Sequence, residues 1–152
     1  MSRTHTARSE TTQQAAVGTE DWGKLLLRIA LGGVLLAHGL QKFTVMGVGQ
    51  VGEFFASLGL PAPELAASLV STLELVGGIA LILGVLVRPI AVLAAGELLV
   101  ASLTAHDGFY ADAGGWELPG VIALSLGALA VLGTGRITVL APISRRIPPL
   151  LR

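Results

Sequence analysis

The sequence contains no cysteine and few charged residues. The lack of cysteine excludes disulfides, thiolate metal sites, Cys-ligated iron–sulfur clusters and thiol redox chemistry in this subunit. Charged residues make up 13% of the 152 residues, whereas soluble domains carry about a quarter. No phosphate-binding loop, dinucleotide fingerprint or nucleophile elbow is present, and we expect no nucleic-acid partner. Because 53% of the residues are hydrophobic, the composition predicts one small integral membrane domain.

Long apolar segments alternate with short polar connections along the chain. A helix of about 20 apolar residues is long enough to cross the hydrocarbon core of a bilayer. Residues 1–21 are polar and predict a disordered tail, and residues 137–152 predict a basic C-terminal tail. The membrane domain, residues 22–136, contains four predicted spans, at about 22–43, 65–87, 89–106 and 118–135. The predicted fold is all-α, a polytopic membrane protein built as an antiparallel four-helix bundle.

Basic residues lie mainly at one end of this predicted bundle. The connections 44–64 and 107–116 contain acids but neither lysine nor arginine, and Lys42 is the single basic residue at their end of the spans. Cytoplasmic connections of membrane proteins carry an excess of lysine and arginine. We therefore expect both termini to lie in the cytoplasm.

Two acids lie inside the predicted spans. Glu74 is near the middle of the second span, roughly 14 Å from its nearer end at 1.5 Å per residue, and Glu97 is roughly 12 Å into the third. Inserting such a residue costs a few kcal/mol, more if it stays ionised and unpaired, so it needs a partner or a function. Both acids are candidate site residues.

Two helix faces combine small and polar residues. One face of span one contains Arg28, Gly32, Leu35, Gly39 and Lys42, and one face of span two contains Ser71, Glu74, Gly77, Gly78 and Leu81. Small residues let helices approach closely in a membrane, and polar residues seek the bundle interior. We expect these two faces to meet.

The candidate catalytic residues are Glu74 and Arg28, which we expect to form a buried, proton-handling pair. A purely structural role, in which the pair fixes the register of the helices, is an equally good interpretation. His38, Lys42 and Glu97 are candidate cofactor-binding residues near the outer side or within the spans. His38 and His106 alone are a weak signal for a ligated metal, so we expect no metal site and no haem.

The connection between spans one and two has a helical pattern of its own. Val51, Phe54, Phe55 and Leu58 recur at helical spacing. A short helix lying in the outer membrane interface and a helical cap over the mouth of the bundle are both consistent with this pattern.

Several motifs together resemble the DoxX family of small bacterial membrane proteins. The resemblance runs from about Lys24 to Arg136. Its motifs are Arg28 in span one, then His38-Gly39-Leu-Gln-Lys42-Phe43, Phe54-Phe55-Ala-Ser-Leu-Gly59-Leu60-Pro61, Glu74-Leu-Val-Gly77-Gly78 and Leu83-Gly84-Val-Leu-Val-Arg88.

The resemblance implies a multi-pass protein of the bacterial inner membrane with a redox role in which a quinone is the acceptor. Arg28, Glu74 and His38 would then donate hydrogen bonds or protons to the quinone oxygens, and a redox partner protein or a substrate would supply electrons. Whether the chain is itself an enzyme stays open. A small proton-coupled transporter and a noncatalytic scaffold of a redox or stress-defence complex are the alternatives, and lipid-facing surface on four short helices leaves room for a homo-oligomer.

Overall fold

The structure, a computed structural model, describes residues 17–139 and 148–151, and their regular structure is entirely helical. Most of the two predicted tails lies outside the described residues. The five α-helices are α1 (Thr19–Gln41), α2 (Val48–Ser57), α3 (Pro63–Leu83), α4 (Val87–Thr104) and α5 (Glu117–Leu132). A π-helix, Lys42–Met46, continues α1, and short 3-10 turns occupy Ala111–Ala113 and Pro149–Leu151.

Helix α1 begins at Thr19, so the last residues of the predicted tail belong to the helix. The buried Asp21 carboxylate explains this start, since it accepts hydrogen bonds from the backbone N–H of Gly18, at 3.1 Å, and of Arg136, at 2.9 Å. An acid in the first turn satisfies free backbone donors and interacts favourably with the helix dipole. The same contact holds the chain after α5 against the start of α1.

The chain is a polytopic membrane protein. Three helical stretches, Thr19–Met46, Pro63–Leu83 and Val87–Thr104, are long and apolar enough to cross a membrane. Helix α5 is also apolar but has only 16 residues. Large aliphatic side chains on all four helices point outward, which suits a lipid environment.

Helices α1, α3, α4 and α5 pack side by side as two tight pairs. The most extensive contacts join α1 to α3 and α4 to α5, and fewer contacts join α3 to α4 and α1 to α5. We call the end of the bundle with the start of α1, the α3–α4 turn and the end of α5 the closed end. The opposite end, with α2 and the α4–α5 loop, is the open end.

Buried apolar side chains fill the half of the bundle next to the closed end. This core consists of Leu31, Leu35, Leu81, Val87, Ala91, Ala94, Leu126 and Leu129. Toward the open end the same four helices carry few buried apolar residues. The two helix pairs are therefore packed together at the closed end and leave space between them at the open end.

Candidate functional site

The predicted glycine faces of α1 and α3 do meet. A Cβ atom added to Gly32 would lie 2.7 Å from the carbonyl oxygen of Gly78, and one added to Gly78 would lie 2.5 Å from the backbone nitrogen of Leu36. One added to Gly39 would collide with the backbone of Leu75. Real Cβ atoms do not approach other atoms so closely, so only glycine allows this contact between the two helix backbones. The contact fixes the register of α1 on α3.

This register brings Lys42 to Glu74. The Lys42 ammonium donates a hydrogen bond to Oε2 of Glu74, with a distance of 2.5 Å between Nζ and Oε2. The side chains are 17% and 5% exposed, respectively, so the ion pair is largely screened from solvent. Lys42 is the first residue of the π-helix that continues α1. Single turns of π-helix are frequent at functional sites.

Glu97 on α4 adds a second acid to this ion pair. Glu97 lines the same cavity as Glu74 and Lys42. One of its oxygens, Oε2, is buried without a hydrogen-bond partner. Three ionisable groups from three helices thus converge near the middle of the bundle.

The three groups line a cavity of about 570 Å³ in the open half of the bundle. Most of its wall is aliphatic or aromatic, with contributions from all five α-helices. Ligand cavities of about 300–1,000 Å³ with apolar walls and a few convergent polar groups are typical of small-molecule sites. The polar wall residues are His38, Gln41, Lys42, Glu74, Glu97, Thr104 and His106.

Helix α2 forms part of the cavity wall at the open end. Val51, Phe54, Phe55 and Leu58 all line the cavity, and α2 packs against α3. This arrangement corresponds to the cap, one of the two interpretations of the helical pattern. Gly47, with φ of 83°, forms the junction between the π-helix and α2, a backbone conformation that residues with a side chain rarely adopt. Gly47 thereby lets the chain turn from the π-helix into α2.

Both predicted histidines line the same cavity, His38 from α1 and His106 from just beyond α4. Nδ1 of His106 lies 2.9 Å from the carbonyl oxygen of Ala101, to which it donates a hydrogen bond. Within residues 17–139 and 148–151, no group of three or more His, Cys, Asp or Glu side chains is arranged to hold a metal ion.

The expected contact between Arg28 and Glu74 is wrong. Arg28 is fully buried at the closed end, where its Nε donates to the carbonyl oxygen of Leu81 at 2.9 Å. The remaining hydrogen bonds of its guanidinium group also go to main-chain carbonyls, those of Ile82 at 2.9 Å, Thr134 at 2.8 Å and Ile137 at 2.6 Å. Arg28 therefore joins the end of α3 to the chain after α5.

The sequence reasoning placed Lys42 in the site but missed its pairing with Glu74. Lys42 and Arg28 lie on the same predicted helix face, so helical periodicity alone does not identify which of them pairs with Glu74. The deciding feature is a set of main-chain carbonyl groups at the end of α3 and after α5, because these acceptors bind the Arg28 guanidinium. No residue pattern marks such carbonyls, because every residue has one.

Comparison with known proteins identifies the family. The DoxX family model matches residues 23–107, more than half of the chain. "Putative oxidoreductase CatD" of Bacillus subtilis (strain 168) is 38% identical over 82 residues, which cover 54% of this chain and 58% of CatD. "Inner membrane protein YphA" of Escherichia coli (strain K12) is 38% identical over 69 residues, 45% of this chain and 48% of YphA.

The matches cover about half the length of these two relatives, and no solved structure matches the chain. The family match includes every residue of the cavity floor, namely Lys42, Glu74 and Glu97, together with Arg28 and α2. Because the family model matches more than half of the chain, this protein belongs to the DoxX family.

Proposed function

We propose that this protein is a membrane subunit of a redox system and binds a quinone or quinol in the cavity of the open half. One observation carries the proposal: an apolar cavity of about 570 Å³ ends at the Lys42–Glu74 ion pair, with Glu97 beside it. The name of CatD, which calls that relative an oxidoreductase, supports a redox role. The bacterial inner membrane is the expected location, in line with the name of YphA.

We also infer that α5 crosses the membrane beside the three longer helices. Its 16 residues span about 24 Å at 1.5 Å per residue, about 6 Å less than the hydrocarbon core, and local thinning of the bilayer accommodates such a mismatch at modest cost. Helix α5 also packs extensively along α4. Four spans would place the closed end, which carries Arg88 and Arg136, in the cytoplasm together with both termini.

The cavity has the chemical character that a quinone requires. Its aliphatic and aromatic wall suits an isoprenoid tail and a ring, and Phe54 and Phe55 offer ring surfaces from α2. The Lys42 ammonium can donate a hydrogen bond to a quinone oxygen, and Glu97 can take or give a proton there. Bound quinone would supply the chemistry, namely the uptake of two electrons and two protons to form the quinol.

Each residue of the cavity floor has a separate task in this proposal. Lys42 orients the head group, Glu74 holds the Lys42 side chain in place, and Glu97 exchanges a proton with the ligand. His38 is a second hydrogen-bonding group on the wall. We assign Arg28 no contact with the ligand, because its hydrogen bonds hold the closed end. A reduced partner protein in the membrane or cytoplasm supplies the two electrons.

Extraction of small molecules from protein purified in mild detergent tests this function. Mass spectrometry should find quinone in a near-stoichiometric amount in the wild type and much less in Lys42→Met and Glu74→Gln. Glu53→Gln is the matched control, since Glu53 is an exposed acid of α2 that does not line the cavity. Folded wild-type protein that neither retains quinone nor binds added quinone would contradict the proposal.

A further inference from the structure

We propose that Glu97 is a proton-exchange site that communicates with the open end of the bundle and is sealed from the closed end. The proposal concerns the acid and the path to it. It goes beyond quinone binding, since it holds for any ligand of the cavity and does not require one.

The arrangement of charges around Glu97 favours one bound proton at this site. Lys42 and Glu74 neutralise each other across 2.5 Å. Glu97 lines the same cavity as this ion pair, and Lys42 is the one lysine or arginine among the described wall residues, so no second cation of the wall balances a Glu97 carboxylate. One Glu97 oxygen, Oε2, is buried without a hydrogen-bond partner. A proton on Glu97 removes an uncompensated charge from the interior of the membrane domain.

The other titratable groups that face the site are two histidines. His38 reaches the wall from α1 and His106 from the end of α4, whereas the wall residues of α2 and α5 are all apolar. Because Nδ1 of His106 donates to the Ala101 carbonyl, Nε2 is the His106 nitrogen that can accept a proton. His106 lies between Glu97 and the open end, where a proton passing to or from the acid would meet it.

The two directions away from Glu97 differ in chemistry. Toward the open end, the wall carries Gln41, Thr104 and His106, which can hydrogen-bond water or pass a proton. Toward the closed end lies a layer of aliphatic side chains that are each at most 6% exposed: Leu31, Leu35, Leu81, Ala94 and Leu126. A close-packed aliphatic layer holds no water and offers no hydrogen-bonding group. Protons therefore reach Glu97 from the open end.

Single-cysteine variants test the path directly, because the natural chain has no cysteine. Thr104→Cys places a thiol in the cavity, and Ala94→Cys places one in the packed layer of the same helix as a matched control. Tyr110→Cys, in the α4–α5 loop, and Leu86→Cys, in the α3–α4 turn, report access to each side. Each variant is reconstituted in liposomes with defined orientation and treated on one side with a charged, membrane-impermeant thiosulfonate.

We expect Thr104→Cys to react only from the side on which Tyr110→Cys reacts, and Ala94→Cys to resist the reagent from both sides. Reaction of Ala94→Cys from the side of Leu86→Cys would overturn the seal. So would a Thr104→Cys thiol that reacts from that side alone.

Infrared spectroscopy of the same liposomes tests the proton. The carbonyl stretch of a protonated glutamic acid should be present in the wild type, absent in Glu97→Gln and unchanged in Glu53→Gln. Glu97→Asp, which keeps the acid, should shift this band rather than remove it. The band intensity should follow the pH on the Tyr110 side while the pH on the other side is clamped. A band that Glu97→Gln leaves intact, or one that follows the pH on the Leu86 side, would overturn the proposal.

Discussion

Replacement of Arg28 by lysine separates a structural role of this residue from a catalytic one. The Arg28 guanidinium joins two parts of the chain, since it donates to the carbonyls of Leu81 and Ile82 at the end of α3 and of Thr134 and Ile137 after α5. Lysine keeps the positive charge but concentrates its three donors on one nitrogen. A single ammonium cannot reach both chain ends as the planar guanidinium does. We expect the variant to lose at least two of the four hydrogen bonds.

The structure sets the size of the effect. A hydrogen bond to a charged group contributes about 1.5–3 kcal/mol, so the loss of two costs roughly 3–6 kcal/mol. Arg28 is 0% exposed, and water cannot readily replace the lost donors. Since 1 kcal/mol corresponds to about 2–4 °C for a chain of this length, the midpoint of thermal unfolding should fall by roughly 6–24 °C.

Circular dichroism of the purified protein in mild detergent measures this midpoint, and mass spectrometry measures the bound ligand in the same samples. Arg28→Lys should unfold at a lower temperature yet retain the cavity ligand in the cold, where it is folded. Glu74→Gln should show the reverse, with a smaller shift of the midpoint and loss of the ligand. An Arg28→Lys variant that melts like the wild type but has lost its ligand would refute the structural assignment and restore the proton-handling pair.

Three further predictions concern packing, backbone strain and the ion pair. Gly78→Ala should lower the free energy of unfolding by about 1–3 kcal/mol, because the added methyl group overpacks against α1. Gly96→Ala should raise the free energy of unfolding by about 0.5–1 kcal/mol, since the Cβ would meet nothing within 4 Å. Equal effects of the two substitutions in thermal unfolding would contradict this prediction. Leu86→Gly should raise the midpoint of thermal unfolding, because Leu86 has a φ of 49° and this left-handed conformation costs about 1 kcal/mol in a residue with a side chain. A lower midpoint would argue against backbone strain at Leu86. Lys42→Met should destabilise the fold by about 3–5 kcal/mol, because Glu74 loses its counter-charge. Adding Glu74→Gln to this variant should recover most of the lost stability. Additive effects of the two substitutions in this double-mutant cycle would show that the two residues are not coupled.

The meeting of α1 and α3 could be predicted from the sequence because it depends on periodicity and side-chain size alone. Residues three, four and seven positions apart share a helix face, and glycines on two such faces allow the backbones to touch. The contact of Gly32 with Gly78 follows from these two rules. Helix-forming apolar segments of membrane-spanning length are equally visible in the sequence, which is why the helical membrane domain was predictable.

The partner of Glu74 could not be predicted in the same way. Arg28 and Lys42 share one helix face, and the sequence does not show that the main chain after α5 returns to the start of α1. The π-helix that begins at Lys42 also leaves no mark in the local sequence, because its extra residue per turn is imposed by the fold. Both determinants are long-range features of the backbone.

The hydrogen bonds of Arg28 at the closed end, which we call the Arg28 clamp, help to stabilise the bundle around the cavity at the open end. Side chains that line a cavity make fewer dispersion contacts and bury less apolar surface than side chains in a packed core. Contacts elsewhere must therefore stabilise the bundle around the cavity. Here the glycine contact unites α1 with α3, and Arg28 holds the two helix pairs together at the closed end. A ligand that fills the cavity should then stabilise the fold independently of the clamp, because binding to the folded state alone raises its stability and the two sites share no residue. The rise in unfolding temperature on adding quinone should therefore be similar in the wild type and in Arg28→Lys, even though the two proteins start from different midpoints.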